Sequence, residues 1–153
     1  MARARSTLAL TLLAMMSTAM PTFAATILPH HYDMQNGQRA AFNYFDETYS
    51  GSGNKTENLA PLSGGRGDLT DGIIPTQGWN VTPAPYVGWL TVNPTIRFHF
   101  DGTTDLTRAI FYFDDSQGDG GVRAPRSVTL TDGTHSKTVP IADSPARGRF
   151  FVT

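Results

Sequence analysis

Two aspartates three residues apart, Asp68 and Asp71, sit in SGGRGDLTDGIIPTQGWN among glycines at 64, 65, 67 and 72. Calcium takes about six to eight oxygens, from carboxylates and from carbonyls that a tight turn can aim inward. The loop could supply such a cradle, with Asp71 the better ligand and Asp68 the second. A plainer reading needs no ion: Asp71 accepts backbone N–H bonds in an Asx turn. Arg66-Gly67-Asp68 also spells an adhesion tripeptide, but a three-residue match in a Gly-rich loop carries a high false-positive risk.

The second chemistry the residues offer is recognition of sugars. Flat rings suit the apolar faces of a sugar, while Asn, Arg and Asp fix its hydroxyls. Trp79 lies in a polar loop beside Asn80, so it is expected at the surface, with Tyr86 and Arg66 completing the candidate ligand-binding set. Trp89 lies inside an apolar run and is expected in the core. An exposed Trp79 favours a binding site; a buried one favours a structural role.

DDSQGDGG, Asp114 to Gly121, is another acidic, Gly-rich loop. Its two leading aspartates alternate faces on a strand and cannot act as a carboxylate pair, and its spacing misses the EF-hand pattern. The histidines give little: His30 and His31 diverge on an extended chain, and His99 and His135 lie on separate strands with no evident convergence. There is no cysteine, and none of the G-x-S-x-G, P-loop, H-E-x-x-H or G-x-G-x-x-G motifs is present. No enzyme is expected; a hydrolase with an unrecognised site is the weakest alternative.

Residues 1–24 have Arg3 and Arg5, an apolar run from Leu8 to Met20 and small residues at the exit, the pattern of a secretory signal. The expected mature domain is 25–153, secreted to the exterior or the cell envelope, with no membrane span. Removing Arg3 and Arg5 from 12 Lys+Arg leaves 10 against 13 Asp+Glu, about −3. That balance offers no clustered basic surface for nucleic acid.

The elements that must position these residues read as strands. TIRFHFD puts Ile96, Phe98 and Phe100 on one face and Thr95, Arg97 and His99 on the other. RAIFYFDD reads as an interior strand, and RSVTLTDGTHSKTVPI as a hairpin about Asp132-Gly133. RAAFNYF and YVGWLTV are further candidates, while 49–85 reads as long loops at one end of a sandwich. The chain ends at GRFFVT in what reads as a strand without a partner, so a truncated C-terminus is expected.

In order, NGQRAAFNYFDETYSGSG, LSGGRGDLTDGII, YVGWLTVNPTIRFHF and FYFDDSQGDGGVRAPRSVTL resemble the galactose-binding-like (discoidin-type) jelly-roll module, as found in secreted bacterial proteins that carry a PEP-CTERM sorting tail. The resemblance covers Asn36 to Thr153, and LTDG, WLTVNPTIRF and GGVRAPRSV are its most specific pieces. It implies an all-β jelly-roll β-sandwich that binds glycans through loops at one end, often with a structural calcium. The sorting tail and the family's last strands are absent. The expected function is a non-catalytic module binding a glycan or matrix polysaccharide; the alternative is a structural or cell-surface interaction protein without a sugar site.

Overall fold

The computed structural model describes residues 25–81, 84–143 and 148–152, the last four as backbone only. The expected signal segment lies outside the described residues. Those described form an all-β architecture with a single 3-10 turn, Asp119–Gly121. The strands are β1 His31–Gln35, β2 Pro61–Gly65, β3 Arg97–His99, β4 Phe111–Asp115, β5 Ser127–Thr131, β6 Ser136–Pro140 and β7 Gly148–Val152. They pair antiparallel in three sheets, β2-β1-β3, β4-β7 and β5-β6.

β1 organises the molecule. Its alternation puts Tyr32 and Met34 inward and leaves His31 and Asp33 half-buried on the other face, as a period-two strand requires. Tyr32, Met34, Tyr49 and Leu62 form the core, with Leu69, Val87, Trp89, Ile96 and Phe98 packed against it. The Tyr49 hydroxyl donates to the Tyr32 carbonyl and accepts from the Gly65 amide. One buried phenol thus ties β1 to β2 where their ladder is interrupted. The interruption is a bulge: Tyr32 pairs with Gly65 but Met34 with Leu62, leaving Ser63 and Gly64 opposite Asp33. Gly64 adopts φ 75°, a left-handed conformation that glycine reaches without steric penalty.

Several expectations need correction. β1 and β2 were not anticipated, and β2 falls within the segment expected to be loop. PLSGG carries no β-branched residue; Pro61 is tolerated because it opens the strand. RAIFYFDD is not an interior strand, since β4 pairs with β7 in a two-stranded sheet and Tyr112 is 49% exposed. By the same pairing, the final strand has a partner, Phe111 to Asp115 running against Val152 to Gly148. RAAFNYF forms no strand, only an isolated bridge between Arg39 and Asn43. YVGWLTV is not a strand either. The Gln38 side-chain carbonyl accepts from the amides of Leu90 and Thr91, replacing ladder bonds with a side-chain bracket.

Other expectations hold. Ile96 and Phe98 face the core, Trp89 packs against it, and β5 and β6 form the hairpin at Asp132-Gly133. The turn is longer than a two-residue one: Thr131 pairs with Ser136, and Asp132 accepts from the amides of Thr134 and His135.

Candidate functional site

The two loops marked by the sequence meet. The Trp79 amide donates to Asp114 Oδ2 at 2.7 Å, joining the 78–80 turn to the end of β4. Gly120 lies against the indole so closely that a Cβ there would come within 2.4 Å of the ring, and it adopts φ 63°. On the other side Phe42 packs edge-on at 4.7 Å and Tyr44 at 5.9 Å. Trp79 is therefore buried, at 5% exposure. The expectation of an exposed ring fails because three aromatics and a glycine bury more apolar surface together than a lone indole in water. Above it opens a recess of about 240 Å³ lined by Gly78, Trp79, Asn80, Asp114, Ser116, Asp119 and Gly148.

Of the other expected ligand contacts, Asn80 and Tyr86 stay near Trp79, and Arg66 is engaged elsewhere. Asn80 is exposed at that recess. Tyr86 is half-buried and donates its hydroxyl to the Gln77 carbonyl. Arg66 is exposed, and its Nε donates to the His30 carbonyl at 2.7 Å. A larger recess, about 540 Å³, opens between Arg39, Phe45, Asn54 and Glu57. No ring stacking surface or acidic motif in the sequence pointed to it.

The Arg66-Gly67-Asp68 triplet is not presented to a partner. Asp68 is buried, and a Cβ on Gly67 would lie 2.2 Å from Asp46 Oδ1. Glycine is required there so that the fully buried Asp46 can approach. The Asp46 carboxylate accepts from the Asp68 amide at 3.0 Å and from the Tyr32 hydroxyl, while Thr48 donates to Asp68 Oδ1. Burial raises the Asp68 pKa to about 6, against the Thr48 hydrogen bond and with help from the charges of Asp46 and Asp71. Burial likewise raises the Asp46 pKa. Asp71 is exposed and accepts from the Ile73 amide at 2.8 Å, the Asx turn of the plainer reading.

This donor set gives calcium no support. Both oxygens of Asp46 take internal donors, and Asp71 Oδ1 closes its own turn. A hard cation with about six to eight oxygen ligands needs more open carboxylates than these.

A different cluster went unseen in the sequence. β1 and β3 pair in a register that places His31 directly opposite His99. Their rings stack at 4.2 Å and 12°. His99 Nε2 lies 2.9 Å from Asp33 Oδ2, and Asp33 Oδ1 accepts from both Ser63 Oγ and the Gly64 amide at 2.9 Å. The Gly64 amide leads in lowering the Asp33 pKa to about 2, joined by Ser63 and His99 and opposed by partial burial. The one signal in the sequence was alternation in HYDMQ, which places His31 and Asp33 on the same face. The pairing with a strand 66 residues away from Asp33 had no local signature.

No protein-family model matches the chain, and neither a curated protein nor a solved structure matches it. The resemblance to galactose-binding-like modules rests on the quoted motifs alone.

Proposed function

We propose that this chain is an exported, non-catalytic interaction module on a galactose-binding-like jelly-roll frame, joining a cell-surface or matrix assembly rather than displaying a stacking site for sugar. The observation that carries the choice is Trp79, buried at 5% exposure between Phe42, Tyr44 and Gly120. A ring spent as an internal post between two loops leaves no flat apolar platform at the mouth above it. The lack of a cysteine and of a recognised nucleophile motif in the sequence is in keeping with a protein that works by contact.

A second reading, carbohydrate binding, is favoured by the recess of about 240 Å³ itself. Asn80, Asp114 and Ser116 there are the residue types that fix hydroxyls, and two loops contribute them. Recognition would then run through hydrogen bonds at the rim, with Trp79 as a floor.

A glycan panel probed with folded protein, run beside co-sedimentation with the producing cells' extracellular matrix, separates the two. Silence on the panel with matrix co-sedimentation supports the assembly role. A panel hit abolished by Asn80→Ala or Asp114→Ala supports the sugar site and overturns the first reading. Failure of both assays removes both.

A further inference from the structure

We propose that His31, Asp33 and His99 form a site for a divalent first-row transition metal, zinc being the representative ion, which clamps the central three-stranded sheet on its solvent face. One ligand atom from each residue lies within 4.8 Å of the other two, and all three side chains are half-buried. Two imidazole nitrogens and one carboxylate oxygen are a donor set suited to zinc and its neighbours, not to calcium or magnesium. Zinc holds nitrogen at about 2.0–2.1 Å and carboxylate oxygen at about 2.0–2.2 Å. Ligands around such an ion stand roughly 3–4 Å apart by that geometry, so modest rotations of half-exposed side chains close the triad.

Two features go beyond chance proximity. The His31–His99 pairing is fixed by the β1–β3 ladder, which holds the two rings face to face at 4.2 Å, so that a turn of each about its χ angles brings their nitrogens to one ion. Asp33 is oriented from behind: Ser63 Oγ and the Gly64 amide both hold Oδ1, leaving Oδ2 turned toward His99. Such outer donors are the usual means by which a ligating carboxylate is aimed. The bulge in β2 is what brings those two donors to one oxygen. With ligands from β1 and β3 and β2 supporting Asp33, the ion would bridge β1 to β3 and leave its remaining positions to water. His30 lies alongside, its Nδ1 3.0 Å from His31 Nδ1, so it orients the His31 ring or joins as a further ligand.

The test titrates zinc chloride into the metal-stripped full chain by calorimetry, with the thermal midpoint read with and without EDTA. One zinc per chain and a raised midpoint are expected, since an ion that binds the native state alone stabilises it by mass action. His99→Gln and Asp33→Asn, each shown to be folded by circular dichroism, weaken zinc at least about tenfold, whereas His135→Gln leaves it unchanged. Absence of zinc binding to folded wild-type chain overturns the site. So does affinity that survives both His99→Gln and Asp33→Asn, which would assign binding to the His30–His31 doublet alone. If Asp33→Asn fails to fold, His99→Gln and Ser63→Ala decide the question in the same way.

Discussion

Asp33 and Asp68 flank the same sheet region yet lie at opposite ends of carboxyl chemistry. Asp33, on the wet face, is held near 2 by the Gly64 amide, Ser63 and His99. Asp68, beneath the loop, is raised to about 6 by burial and by the neighbouring charges of Asp46 and Asp71. Both accept hydrogen bonds, so hydrogen bonding alone does not divide them. What differs is whether donors outweigh the loss of water. On the open face they do, and the carboxylate stays charged and free to meet a cation. In the interior they do not, and the carboxyl titrates nearer neutrality.

The largest way to break this contrast is Asp46→Ala. It strands two buried donors, the Tyr32 hydroxyl and the Asp68 amide, and at about 1–3 kcal/mol for each it lowers stability by roughly 2–6 kcal/mol. Chemical denaturation measures this; a loss below about 1 kcal/mol would show that the carboxylate is not integral to the interior.

The pH profile sharpens it next. A raised folded pKa contributes stability that is complete below the unfolded value and is lost as pH rises through the folded one. Asp68 thus makes the protein less stable as pH climbs through about 6. Asp33, with a lowered pKa, contributes stability present above the ordinary carboxyl range and lost as pH falls toward about 2. The thermal midpoint is expected to peak between roughly pH 4 and 6. Asp68→Asn should flatten the alkaline limb and Asp33→Asn the acid limb. An unaltered profile in both variants would refute the assignment.

Smaller effects follow. Ser63→Ala removes one of the two donors to Asp33 Oδ1 and should lower stability by about 0.5–1.5 kcal/mol while raising the Asp33 titration point, read by NMR. Smallest of all, Asp71→Ala removes an exposed Asx-turn bond and should change stability by about 0.5 kcal/mol. Calcium at millimolar concentration should leave the midpoint unmoved; a rise abolished by Asp71→Ala would restore the ion to the LTDG loop.

Legibility in the sequence followed the range of the interaction. The β5–β6 hairpin, the inward faces of Ile96 and Phe98 and the Asx turn at Asp71 depend on residues a few positions apart, and all could be read. The polar, Gly-rich character of the 78–80 and 114–121 segments marked each as a loop, but not that they meet. Trp79 could not be placed, because its burial depends on Phe42 and Gly120, which come from distant segments. The Asp46–Asp68 pair was invisible for the same reason: nothing around Phe45-Asp46-Glu47 marks a residue that will sit against Gly67. β2 was hidden by its composition, since a strand stabilised by one leucine and a bulge lacks the residue types that normally announce one.

The bulge at Ser63–Gly64 gives the sheet an adjustable joint. Deleting one of these two residues would restore an unbroken ladder with Leu62 still opposite Met34, but would take away one of the two donors to Asp33 Oδ1. The irregularity therefore serves Asp33 and not the interior. Exchanging Ser63 retunes Asp33 at a modest loss of stability while the hydrophobic half of the sheet stays as it is. Chemistry on one face and packing on the other are thus separately heritable, set by adjacent residues of one irregular strand.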